Sequence, residues 1–239
     1  MPDDAEINRI LVIAAHPDDV DFSSAGTIAH WTDQGIEVVY CIVTDGDAGG
    51  SDPSVSRPDM ATLRHAEQTA AAKEVGVTDL RWLGYQDGQV EATLALRKDL
   101  SRVIRQARPD RVVCPSPERN YARTGASHPD HRAVGSAALD AVYPDSRNQF
   151  AFPSLLADEQ LEPWTVPEVW ISGGLAPNRY VDVTDTFPRK IAALRAHASQ
   201  TSHLDGMEDF IRGWLTRSAE QGGLAEGRLA EAYQVLNTG

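Results

Sequence analysis

Two cysteines, Cys41 and Cys114, are all that the 239-residue chain contains. So few rule out a disulfide-stapled fold, and with no CxxC pair they rule out a thiolate-based zinc site. Both lie in apolar runs, VVYCIVT and RVVCPS, where buried strand thiols are expected. A reducing, cytoplasmic setting is the expectation that follows. Long hydrophobic runs are also missing; none approaches the ~18 to 20 residues that a membrane helix needs. The opening segment MPDDAEINRI has no basic n-region and no apolar h-region, so no signal peptide is expected. Positive charge is scarce: 22 Lys and Arg face 35 Asp and Glu, a formal net charge of −13. That field repels phosphate backbones and anionic lipid, which argues against nucleic acid or a membrane surface as partner. There is no internal repeat and no low-complexity segment.

What is present reads as one α/β domain over residues 1–239. Residues 9–15 (RILVIAA) and 36–44 (IEVVYCIVT) are continuous apolar runs typical of strands buried on both faces. Residues 79–83, 110–114, 166–171 and 180–183 read as further strands. Helices are expected over 23–34, capped by Ser23 or Ser24 and stopped at Gly35, then over 61–75, 92–107, 131–142, 186–198 and 207–219. Residues 223–236 also have helical character. Several prolines and no clear period mark 143–165 as an irregular excursion. Strands alternating with helices imply βαβ units, hence a Rossmann-like, doubly wound, mainly parallel sheet with helices on both faces. Ligands of such sheets bind beyond the carboxyl ends of the strands where the strand order reverses, which in the commonest order lies between the first and fourth strands.

The chemistry gathers at that point. His16-Pro17-Asp18-Asp19 follows the first strand directly, and His128-Pro129-Asp130-His131 lies after the fourth. A single His-Pro-Asp serves equally well as a turn, since Pro fixes φ and Asp caps the next helix. Two copies converging on one crevice point instead to a metal. A dinucleotide site would carry a Gly-rich turn after the first strand; here Asp18, Asp19 and Asp21 would repel a phosphate, so a cation site takes its place. Two imidazoles and a carboxylate with open positions suit catalytic Zn2+, and suit Fe2+ equally. A remaining carboxylate can act as general base and a remaining histidine can stabilise an oxyanion.

These segments resemble the PIG-L/LmbE-like family of metal-dependent de-N-acetylases. AAHPDDVDFSSAGT and SHPDHRAVG carry the resemblance, echoed by VTDGDAGG, LRHAEQTAAAKEVGV, LGYQDG and KIAALRAHASQT over most of the chain. The resemblance implies hydrolysis of an N-acetyl group on a small-molecule, N-acetylglucosamine-type conjugate. It implies His16, Asp19 and His131 as metal ligands, Asp18 as general base, and His128 as oxyanion partner or general acid, with Asp130 orienting His128. Arg64 and Asp87 would contact the sugar. The chain departs from the family pattern in two places. Val20 stands where many members have Glu. Ala126 stands where some have a mobile Tyr, for which Tyr121 of the same loop is a candidate substitute. The chain is also shorter than the thiol-pathway members, so a pocket wall is either missing or supplied by a neighbouring subunit of a homo-oligomer.

Three readings stay open from sequence: the de-N-acetylase, a metal-dependent amidase or esterase on a non-sugar substrate, and a non-catalytic sugar- or metal-binding module. His197 is expected to be a packed helix-end imidazole rather than a substrate contact, and Trp164 a core residue rather than a sugar platform.

Overall fold

The structure, a computed structural model, describes residues 7–50 and 52–238, so most of the acidic opening segment lies outside the described residues. Seven strands form one sheet: β1 (Arg9–Ala14), β2 (Glu37–Thr44), β3 (Asp79–Tyr85), β4 (Arg111–Pro115), β5 (Glu168–Ser172), β6 (Arg179–Asp182) and β7 (Ala230–Asn237), in the order β3-β2-β1-β4-β5-β7-β6. β1 to β5 are parallel, while β7 pairs antiparallel with both β5 and β6. The order reverses between β1 and β4, the crevice position expected from the sequence. The helices are α1 (Asp19–Asp33), α2 (Arg57–Glu74), α3 (Leu94–Ala107), α4 (Pro129–Asp140), α5 (Pro153–Ala157), α6 (Phe187–Ala196), α7 (Ala198–Thr201) and α8 (Met207–Gln221).

Alternation along the buried strands divides the core in two. Ile10, Val12 and Ala14 of β1 face α1, α2 and α6, packing with Ile28, Trp31, Ala71 and Ala193. Leu11 and Ile13 face the other way, onto Leu96, Leu100 and Ile104 of α3 and Val134, Ala137 and Ala138 of α4. Cys41 and Cys114 are both buried and unpaired. No described helix is long and apolar enough to cross a membrane.

Two element expectations need correction. The helix expected from residue 23 starts at Asp19, with Asp18 as its N-terminal cap at φ 85°, a left-handed turn that lets the chain leave β1 and enter α1 at once. The helical character of residues 223–236 gives way to β7. Ala, Glu and Leu favour a helix there, but Ala230, Tyr233 and Val235 are buried and the segment completes the ladder between β5 and β6. Tertiary pairing overrides local propensity. The 143–165 excursion is pinned by Arg105, whose guanidinium donates to the carbonyls of Asp145, Ser146 and Asn148, and by Arg97, paired to Asp145 at 2.9 Å. Gly135 lets α4 lie on the end of β4, because a Cβ there would run into the Pro115 carbonyl oxygen.

Candidate active site

Both His-Pro-Asp segments sit at carboxyl ends of adjacent strands. His16 to Asp19 join β1 to α1, and His128 caps α4 beyond β4. Three side chains converge between them. His131 Nε2 is 3.0 Å from Asp19 Oδ1, and His16 Nδ1 is 3.2 Å from His131 Nε2 and 3.4 Å from Asp19 Oδ2. Asp19 is held in place by the His16 backbone N–H, which donates to its Oδ2 at 2.8 Å. The other ring nitrogen, His16 Nε2, lies 3.1 Å from both Asp87 Oδ1 and Asp130 Oδ2.

The titrations follow from this packing. Burial alone would lower the His16 imidazole, but hydrogen bonds and charge from Asp19 and Asp87 reverse that and take it up to about 11. Burial likewise opposes the rise of His131, which the Asp19 carboxylate drives. Burial would lift Asp19, yet His131 and His16 hold it well below the usual carboxylate range. Asp18 goes the other way: burial and then the Asp19 charge push it up to about 7, against the pull of Arg64. Burial, then the neighbouring His16, lowers His128.

The family resemblance implies that Asp130 orients His128; the structure puts its carboxylate on His16 instead. Asp130 is the second residue of α4 and 1% exposed, so its side chain points inward, where the N–H groups of Gly88 (2.7 Å) and Val90 (3.3 Å) also donate to it. Only its backbone N–H reaches His128, donating to Nδ1 at 3.2 Å. Asp87, expected to meet sugar hydroxyls, is likewise turned onto His16 and accepts from the Ala48 N–H at 3.3 Å. Arg64, expected to reach the sugar, is 4% exposed and reaches Asp18 Oδ2 at 2.8 Å, with further bonds to the Pro17 and Gly46 carbonyls. All three support residues that line the centre.

His128 stands at the rim, its ring 5.0 Å from that of His16 and 5.4 Å from that of His131. His16, His128 and His131 form one group able to hold a metal, and His16, Asp87 and Asp130 another. Asp19 and His131 line an open cleft, whereas Asp87 and Asp130 spend oxygens on backbone N–H groups, so the Nδ1 side of His16 is the side with room for a ligand. Tyr121 is 87% exposed in its loop.

A layer behind Asp18 carries residues the sequence did not single out. Gln68 Oε1 accepts from the Asp18 backbone N–H at 2.8 Å, and its Nε2 donates to Asp21 Oδ2 at 2.9 Å. Asp21 Oδ2 also meets His197 Nε2 at 2.8 Å, with both side chains fully buried, so His197 is a packed imidazole. The available signal was spacing: Gln68 stands four residues after Arg64 and shares its helix face. Trp164 is half-buried, packs against the core and donates its indole N–H to the Pro109 carbonyl at 2.8 Å.

The PIG-L family model, GlcNAc-PI de-N-acetylase, matches residues 11–142. The chain belongs to this family. A diacetylchitobiose deacetylase of Thermococcus kodakarensis is 35% identical over 195 residues, covering 82% of this chain and 71% of the relative. A 1D-myo-inositol 2-acetamido-2-deoxy-alpha-D-glucopyranoside deacetylase of a Mycobacterium species is 29% identical, covering 82% of this chain and 75% of its own. The solved structure of N,N'-diacetylchitobiose deacetylase from Pyrococcus horikoshii, in complex with an inhibitor, superposes with a TM-score of 0.89 at 32% identity, covering 98% of this chain and 85% of that one.

Proposed function

We propose that this chain, as one α/β domain, is a metal-dependent hydrolase that removes the acetyl group from an N-acetylglucosamine-type conjugate, releasing acetate and a primary amine. The observation that carries this reading is the convergence of His16 Nδ1, Asp19 and His131 Nε2 within 3.4 Å of one another, with Asp18 next to them. Two imidazoles and a carboxylate aimed at one point, with the Asp19 and Asp87 carboxylates favouring a cation there, suit a small divalent ion. Zn2+ is the ion proposed, with Fe2+ the alternative that this donor set also accepts. When bound, the ion supplies Lewis acidity and lowers the pKa of a water towards ~7.

The rest of the chemistry belongs to the chain. Asp18 Oδ2 is tied to Arg64, while Oδ1 accepts no hydrogen bond from the described residues and is free to take the proton of the attacking water. Lifted to about 7, Asp18 has the affinity a general base needs near neutral pH. His128 accepts a backbone N–H at Nδ1, so its neutral form carries the proton on Nε2. That N–H can donate to the oxygen of the tetrahedral intermediate as negative charge builds there. Asp130 and Asp87 keep the proton of His16 on Nε2, which leaves Nδ1 as an electron-pair donor.

The amino-sugar class is supported by membership of the family and by the three deacetylases, each matched over more than four-fifths of this chain. The cytoplasmic setting is supported by two buried, unpaired thiols. The test is a panel of N-acetylglucosaminides assayed for new primary amine, alongside elemental analysis of protein purified without added metal. Amine release from an amino sugar is expected; turnover of simple amides with none from any sugar overturns the substrate class.

A further inference from the structure

Asp18 works from a backbone conformation that needs support. Its φ of 85° lies in the left-handed region, which a residue other than glycine holds only where its surroundings fix it. The Pro17–Asp18 peptide group sets that angle, and α2 grips the group at both ends. Arg64 donates to the Pro17 carbonyl, and one turn later Gln68 Oε1 accepts the Asp18 N–H at 2.8 Å. A glutamine amide can sit either way round, and only one way serves here. Its Nε2 faces Asp21 Oδ2 at 2.9 Å; a carboxylate only accepts, so it holds the NH2 group toward itself and Oε1 toward the Asp18 N–H. Asp21 Oδ2 is held in turn by His197 Nε2 at 2.8 Å, and Gln68, Asp21 and His197 are all fully buried. His197 Nδ1 has no hydrogen-bond partner among the described residues, so the neutral ring carries its proton on Nε2, toward Asp21. Two residues on, Ser199 gives its N–H and its hydroxyl to the Glu67 carboxylate, each at 2.7 Å. The AHASQT stretch thus holds α2 at two successive residues, Glu67 directly and Gln68 through Asp21.

We propose that Gln68 is a positioning residue for the reaction: backed by Asp21 and His197, it holds the Asp18 backbone at the angle that aims the free carboxylate oxygen at the attacking water. The inference rests on the reading of Asp18 as general base of the deacetylase. Arg64 fixes Asp18 Oδ2 at 2.8 Å, so with the peptide plane and one oxygen both held, Oδ1 has a single direction left. The hydrogen bonds of the Gln68, Asp21 and His197 side chains run to one another and to the Asp18 N–H, with none to His16, Asp19 or His131. Their effect therefore falls on proton transfer and not on metal binding. A base must lie within hydrogen-bond reach of the proton it takes, and a misplacement of about 1 Å can cost ~100-fold in rate.

Steady-state kinetics and elemental analysis on the same preparations test the assignment. Gln68→Met keeps the side-chain length and removes both hydrogen bonds. It is expected to lower kcat by about 10- to 100-fold, with KM within about twofold and the metal content of the wild type. Loss of buried hydrogen bonds lowers Tm whether the role is positioning or purely structural, so the deciding readout is the Asp18→Asn background. There the base is already gone, and adding Gln68→Met should change the residual kcat by less than about twofold. His197→Phe removes the donor to Asp21 and is expected to cost about fivefold in kcat, while His197→Gln keeps a donor and should recover most of it. That pair decides the matter if Gln68→Met does not fold. Wild-type kcat in Gln68→Met, a loss confined to KM or to metal content, an equal loss with and without Asp18, or equal kcat in the two His197 variants overturns the positioning role and leaves the deacetylase reading intact. No amine from any sugar with the wild type overturns the deacetylase reading itself.

Discussion

His16 Nε2 lies 3.1 Å from Asp130 Oδ2, and that carboxylate is 1% exposed and also receives the Gly88 N–H at 2.7 Å. The HPDH segment therefore reaches back to orient the histidine of the HPDD segment. A buried carboxylate on the far nitrogen of a ligand fixes the tautomer and raises the basicity of the near one, and its loss commonly costs 10–100-fold in metal affinity by rough precedent. Asp130→Asn is expected to weaken metal binding by about that factor, measured by competition with a chromophoric chelator, with the circular dichroism spectrum unchanged. Affinity equal to wild type would show that Asp130 does not tune His16.

Asp18→Asn separates binding from chemistry. Asp18 contributes no atom to the His16–Asp19–His131 convergence, so the variant should keep its metal content. An amide cannot take a proton from water, and loss of a positioned general base lowers turnover by roughly 10²–10⁴-fold. Elemental analysis and kcat on the same preparation check both halves. A fully active variant overturns the assignment of Asp18 as base.

The centre was legible in sequence where chemistry and backbone position coincide. His16, Asp19, His128 and His131 sit at strand ends, and the βαβ alternation is enough to place them in one crevice. What sequence left unreadable is the direction in which a side chain points. Asp130 and His128 are two residues apart, and only the entry angle of α4 sends one inward to His16 and leaves the other at the rim. Arg64 and Asp87 carry the charge of sugar contacts, yet burial turns both toward protein partners. Gln68 offered only its spacing from Arg64 as a signal, because its contact with the Asp18 amide exists only once α2 packs beside the β1–α1 turn. The strand at Ala230–Asn237 escaped for a related reason: its identity depends on partners distant in sequence.

Metal removal should be visible in stability as well as in rate. A ligand that binds only the folded chain stabilises it by about 2.7 kcal/mol at a hundredfold excess over Kd. At about 2–4 °C per kcal/mol for a chain of this size, chelation is expected to lower Tm by roughly 5–10 °C. It should also abolish amine release, with both restored by added zinc. Unchanged Tm and activity after exhaustive chelation would remove the metal from the mechanism.

Lys190 and Glu231 form a fully buried pair at 2.7 Å that ties α6 to β7 beneath the start of α1. The Lys190 ammonium also donates to the carbonyls of Asp21 (2.9 Å) and Phe22 (2.7 Å), and Glu231 accepts the N–H groups of Gly26 (3.0 Å) and Thr27 (2.8 Å). Lys190→Met leaves a carboxylate buried without its cation, a change that costs about 3–5 kcal/mol. A Tm drop of about 10 °C is expected, read by differential scanning calorimetry. Adding Glu231→Gln should recover part of it, because the amide oxygen still accepts one of the two α1 N–H groups without stranding a charge. A double variant less stable than Lys190→Met alone would show that the carboxylate charge itself, and not its pairing, holds α1 and hence Asp19 in position.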